Sequence, residues 1–114
     1  MVEKKKFGTI VLVDFPFSDG IRSKVRPALI ISSHSDGDLL LARITSAPRE
    51  SSFDVPLLDW EPSNLMFDSV VRVNKLTTIL QSSVIRTIGG LSAADRRQVF
   101  FALRDFVASL ETDE

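Results

Sequence analysis

Gly89-Gly90-Leu91-Ser92-Ala93-Ala94-Asp95-Arg96-Arg97-Gln98-Val99-Phe100-Phe101-Ala102-Leu103-Arg104-Asp105-Phe106-Val107-Ala108-Ser109-Leu110 is the stretch that decides the fold. The two glycines break the pattern before it, and Ser92 then opens the one convincing helix of the chain. The Ser92 hydroxyl is placed to accept from the N–H of Asp95, and the Asp95 carboxylate to reach back, a shorter variant of the capping box. Val99, Leu103, Phe106 and Leu110 recur at spacings of four, three and four, the period of one helical face. Phe100 and Val107 widen that stripe, while Arg96, Arg97, Arg104 and Asp105 fall largely elsewhere. A helix with one apolar face must bury it, against a sheet or against a partner chain.

Everything upstream of the glycines reads as short strands. Thr9 to Phe15 is β-branched, opened by Gly8 and ended by Pro16, which cannot donate to a ladder. Ser18-Asp19-Gly20 signals a turn inside a polar loop. Ala28 to Ser32 is a second strand with Pro27 at its first position, and Leu39 to Thr45 a third. The intervening residues, rich in Ser, Asp and Gly, make the two a plausible hairpin. Phe53 to Leu57 alternates, and Pro56 marks it as an edge. Trp60 to Asn64 is a turn, Ser69 to Val73 a further strand, and Val84 to Ile88 a last short one. Strands followed by a helix predict a mainly β domain: a small, strongly curved antiparallel sheet or barrel closed by a C-terminal helix.

Composition narrows the chemistry. A chain of 114 residues is one domain, 1–114, with no internal repeat or linker. With no cysteine there is no disulfide framework, no thiolate nucleophile and no cysteine zinc site. The single histidine, His34, rules out a multi-histidine metal site within the chain and lies in a predicted solvated turn. No apolar run reaches the length of a membrane span, no signal-peptide pattern opens the chain, and the expected compartment is the cytoplasm. The net charge is −1, too low for bulk electrostatic binding of nucleic acid. Residues 1–50 nevertheless hold 8 basic against 6 acidic groups, and residues 51–114 hold 6 against 9. No P-loop, dinucleotide-binding or zinc-protease motif is present.

One constellation carries chemistry: Lys24-Val25-Arg26-Pro27-Ala28-Leu29 with Ile44-Thr45-Ser46. The proline keeps Arg26 extended at a strand mouth. In the predicted hairpin Arg26 and Thr45 lie near the same end, and an arginine fork beside a hydroxyl suits a phosphate. The plainer alternative is an arginine paired to Asp14 or Asp19, with a threonine satisfying backbone.

These residues, with Gly8-Thr9-Ile10-Val11-Leu12-Val13-Asp14-Phe15-Pro16-Phe17, Ser18-Asp19-Gly20, Ser69-Val70-Val71-Arg72-Val73 and Ile88-Gly89-Gly90-Leu91-Ser92, form an ordered set over roughly residues 7–110. In this set the chain resembles the MazF/PemK family of toxin endoribonucleases, and most of all its PemK-like branch. The resemblance implies an SH3-like small β-barrel with a terminal helix, a homodimer, and a protein antitoxin as partner. It implies metal-independent, sequence-specific cleavage of single-stranded RNA (mRNA) by 2′-hydroxyl attack, with no cofactor. Arg26 and Thr45 match the family's central catalytic pair; Phe17, Ser18, Lys24, Ser46, Arg72 and Asn74 are the corresponding candidates for RNA contact. Phe17 is placed to stack on a base or to pack inward. Two departures stand out. The loop before the Arg-Pro motif lacks the glutamate of some members, and Arg72-Val73-Asn74 carries an amide where others carry a catalytic aspartate. Asp14 and Asp19 are the nearest carboxylates in sequence. An alternative use of the same fold is a non-catalytic or gyrase-directed binding protein, as in the toxin CcdB.

Overall fold

The computed structural model describes residues 5–16 and 23–112. Six strands are present there: β1 (Thr9–Pro16), β2 (Ser23–Ser33), β3 (Asp38–Thr45), β4 (Asp54–Pro56), β5 (Val70–Leu80) and β6 (Val84–Gly90). A 3₁₀ turn at Gln81–Ser83 joins the last two, and the helix α1 (Ala93–Ser109) follows. The strands form one antiparallel sheet in the order β4-β5-β3-β2-β1-β6. No described helix is long and apolar enough to cross a membrane.

The apolar runs of β1 and β2 are nearly continuous because both faces of the sheet are covered. Successive side chains point to opposite faces. Ile10, Leu29, Ala42, Ile44 and Val71 thus join a core on which α1 sets Val99, with Leu103 and Phe106 half-buried against it. Their neighbours Val11, Val13, Ala28, Ile30 and Leu41 join a second core. Ile79 of β5 and Val84 of β6 both pack on this second core although three strands separate theirs in the sheet. The sheet must therefore curl around it. Register shifts in the β1–β6, β2–β3 and β3–β5 ladders supply the bending, as bulges do.

The β-then-helix architecture is as the sequence predicts, but the sheet is not closed: β4 and β6 are its two ends and do not pair with each other. Pro27 is not at the start of its strand. β2 begins at Ser23, and Pro27 stands opposite Leu12 of β1. The ladder to β3 starts only at Ala28, so β2 is one-sided there, a setting that tolerates a missing N–H. β5 runs to Leu80, beyond the expected Val73, and the glycine pair belongs to β6. Gly89 lies so close to the Ser63 carbonyl that a Cβ would strike it, which explains a glycine inside the strand.

The helix opens as read, with the Ser92 hydroxyl accepting from the Asp95 N–H at 3.1 Å. The Asp95 carboxylate does not reach back. It is fully buried and accepts from the Leu58 N–H at 3.0 Å and the Asp59 N–H at 2.8 Å. Val99, Leu103 and Phe106 carry the buried face, and Phe106 meets Phe53 edge-on at 5.3 Å. Phe100, Val107 and Leu110 are exposed. Residues 100 and 107 lie one step around the helix from Val99 and Phe106, at the rim of the stripe, and Leu110 caps the helix outside its last turn.

Candidate functional site

The ladder geometry brings the expected pair together. Ala28 pairs with Arg43 across β2–β3. Continuing that register by two residues sets Arg26 opposite Thr45, beyond the last ladder bond. Across the next ladder Arg43 faces Arg72 and Thr45 faces Val70. On the other side Leu12 stands between Pro27 of β2 and Arg86 of β6. These rows converge on a cleft of about 560 Å³ over the ends of β2 and β3. Val25, Arg26 and Pro27 line it consecutively, as do Arg43, Ile44, Thr45 and Ser46. Consecutive strand residues face opposite ways, so backbone as well as side chains build this wall. The floor is apolar, from Leu12, Ile44, Leu65 and Ile88.

The cleft is positively charged. Arg26, Arg43, Arg72 and Arg86 line it, and no carboxylate does among the described residues. A chain of net charge −1 thus concentrates four of its 14 basic groups on one cavity. Arg72 is paired to Glu50 at 3.4 Å, with the Glu50 side chain 69% exposed and that of Arg72 only 17%. Arg72 Nε is buried without a partner. Its guanidinium therefore has unused donor capacity and, among the described residues, one water-screened counterion, a pair worth about 1 kcal/mol or less. Arg26 forms no ion pair among the described residues, so of the two alternatives pairing to Asp14 is absent, while Asp19 lies outside the described residues. Thr45 Oγ1 accepts from the Ala47 N–H at 3.1 Å, which occupies a lone pair and leaves the hydroxyl proton free to donate. Arginine forks and a donating hydroxyl around an apolar floor suit a phosphodiester and its attached groups.

One rim is the segment between β4 and β5. Asn64, Leu65, Met66, Phe67 and Ser69 line the cleft from there. Asn64 is the one described non-glycine residue with a left-handed backbone, φ 68°, and its side-chain amide donates to the Ile88 carbonyl at 2.8 Å. That bond fastens the rim to β6. The other fastening is Asp95, which grips the start of the segment from α1.

Of the residues singled out in the sequence, Arg26, Thr45, Ser46 and Arg72 share this cleft. Lys24 is exposed on β2 opposite Phe15 and is not part of the lining. Asn74 is half-buried and also outside the lining. The β3–β5 register jumps from Arg43–Arg72 to Ala42–Leu76, so residues 73–75 form a bulge and strand alternation does not carry Asn74 alongside Arg72. Phe17, Ser18 and Asp19 lie outside the described residues. His34 sits in the turn before β3, at the far end of the hairpin. Sequence reasoning missed Arg43, Arg86 and the rim. Arg43 was legible, two residues before Thr45 and hence on its face. Arg86 and the rim depend on long-range pairing that leaves no local mark.

A family model described as PemK-like, MazF-like toxin of type II toxin–antitoxin system matches residues 6–107. No curated protein sequence matches the chain. Among solved structures, an endoribonuclease from Mycobacterial species superposes with a TM-score of 0.74 at 16% identity, covering 95% of each chain. An endoribonuclease in complex with its cognate antitoxin, also mycobacterial, gives 0.74 at 17% identity over 91% of this chain and 95% of that one. A MazE–MazF complex from Deinococcus radiodurans gives 0.73 at 21% identity over 93% and 98%. These likenesses establish the fold, and the family model covers nearly the whole domain. The chain belongs to the PemK-like, MazF-like toxins of type II toxin–antitoxin systems.

Proposed function

We propose that this toxin is a metal-independent endoribonuclease that cuts single-stranded RNA at short sequences and is silenced by a cognate antitoxin protein. The observation that carries the reading is Arg26 set opposite Thr45 in a cleft that also takes Arg43, Arg72 and Arg86. Such a donor set binds the anion directly and needs no bridging cation. The similar endoribonuclease and MazE–MazF structures add support for the substrate and the partner.

In this reading the substrate supplies its own nucleophile. The 2′-oxygen bonds to phosphorus, the bond from phosphorus to the 5′-oxygen breaks, and the products are a 2′,3′-cyclic phosphate and a 5′-hydroxyl. The 2′-hydroxyl proton leaves to water, and the departing 5′-oxygen takes one from water. The protein holds the reacting atoms in line and stabilises the crowded, doubly charged phosphorane. Arg26 provides fixed charge and a donor fork, and acts as a stabiliser and not as an acid. Thr45 donates its free proton to a phosphate oxygen. The exposed apolar strip of Phe100, Val107 and Leu110 supports a protein partner on α1, in keeping with the expected homodimer.

The test is a long single-stranded RNA incubated with the purified protein in EDTA. Cleavage should leave cyclic-phosphate and 5′-hydroxyl ends. Arg26→Ala should lower the rate by about 10²–10³ while the fold persists, and Arg26→Lys should also be poor. RNA that stays intact under the wild type would favour a non-catalytic binding protein on the same fold, and equal cutting by Arg26→Ala would remove Arg26 from the mechanism.

A further inference from the structure

We infer that Met66 and Phe67 form a stacking platform for an unpaired base of single-stranded RNA, on the rim of the arginine-lined cleft. This rests on the endoribonuclease reading and adds a base subsite to a cavity whose other features address phosphate.

Both side chains line the cleft, yet both stand in water: Met66 is 82% exposed and Phe67 is 63% exposed. Large apolar groups left outside in this way normally mark a binding surface when they adjoin a cavity. Their exposure is not the product of a loose loop. On one side, the backbone of buried Leu65 donates to the Trp60 carbonyl at 3.1 Å, next to the Asn64 tie to β6. On the other, the buried Ser69 hydroxyl donates to the Phe67 carbonyl at 2.7 Å, and the Ser69 carbonyl accepts from the Leu57 N–H at 2.9 Å. Main chain on both flanks is fixed while two apolar side chains face outward. A platform held in this way loses little entropy when a ring settles on it.

Charge selects the occupant. The wall beside the platform carries four arginines and, among the described residues, no carboxylate. A polyanion with flat apolar units matches both halves of that surface: phosphates on the guanidinium forks, a base on the phenyl ring and the polarisable thioether. Stacking tolerates any base, so the subsite adds affinity and fixes strand position without itself reading sequence.

The experiment uses the full chain and a 2′-O-methylated RNA of about ten nucleotides, which cannot be cut, beside an abasic strand of the same length. Binding is followed by fluorescence anisotropy. The wild type should prefer the base-bearing strand, and Phe67→Ala should weaken that strand roughly 5- to 100-fold while leaving abasic binding unchanged. Phe67→Trp should keep the preference. A Phe67→Ala protein that keeps the full preference, or loses affinity for both strands alike, overturns the platform. So does light scattering in which Phe67→Ala alone converts a dimer to a monomer, because the patch then belongs to a second copy. A folded wild type that binds neither strand removes the RNA reading itself.

Discussion

Replacing Asp95 by alanine should destabilise the protein far more than losing a helix cap would. If its carboxylate only completed a capping box, the loss would be about 1 kcal/mol. Instead it is fully buried and accepts two backbone N–H groups, from Leu58 and Asp59, at 3.0 and 2.8 Å. Hydrogen bonds to a charged group contribute about 1.5–3 kcal/mol each, and their removal strands two donors. Part of the gain returns because a buried charge is no longer desolvated, so a net loss of about 3–5 kcal/mol is expected. That is a large share of the roughly 5–15 kcal/mol available to a domain. Asp95→Asn keeps one acceptor and should lose about half as much. Urea unfolding followed by far-UV circular dichroism gives the totals, with Ser92→Ala as the cap control. The single tryptophan, Trp60, lies in the gripped segment and packs on the larger core, so its fluorescence reports the same region. Equal losses for Asp95→Ala and Ser92→Ala, both near 1 kcal/mol, would refute the clamp.

Asn74→Asp should leave kcat on a short fluorescent RNA unchanged, because the bulge keeps residue 74 out of the cleft; a rise of tenfold or more, as a competent base gives, would place it inside. Glu50→Gln frees Arg72 from its counterion and should tighten RNA binding. The slope of log affinity against log salt should steepen by about 0.7 for one added phosphate contact, and an unchanged slope would show that Glu50 does not compete with RNA. Gly89→Ala should lower stability by about 1–3 kcal/mol through its clash with the Ser63 carbonyl. Gly90→Ala, where a Cβ meets nothing closer than 3.6 Å, is the control in the same urea experiment, and equal effects would count against the contact.

Residues whose partners are near in sequence are legible in the sequence alone. Ser92 capping Asp95, the Val99–Leu103–Phe106 face and the β2–β3 hairpin all follow from spacing and turn chemistry, and the hairpin alone puts Arg26 near Thr45. Pattern reasoning failed where a distant element decides. Gly89 and Gly90 look like a break until the Ser63 carbonyl lies against the strand. Asp95 looks like a cap until a segment more than 30 residues upstream offers it two N–H groups. Asn74 looks like a neighbour of Arg72 because strand alternation assumes no bulge. Phe100 and Val107 satisfy the helical period yet remain exposed, since the period gives a direction and not the width of the surface that covers it.

The pairing of β1 with β6 sets when this protein can fold. Thr9 and Ile10 stand opposite Gly90 and Gly89, so the first strand waits for nearly the whole chain before it gains its second neighbour. The helix that seals the larger core comes later still. Contacts of such long sequence separation must meet their loop-closure entropy before they return any stability, which slows folding. A fragment ending before Val84 would hold Arg26, Thr45 and Arg72 but lack Arg86, Ile88, the anchor for Asn64 and the grip of Asp95. A synthesis interrupted there thus leaves Arg26, Thr45 and Arg72 on a chain without the strand and helix that complete the cleft and fasten its rim.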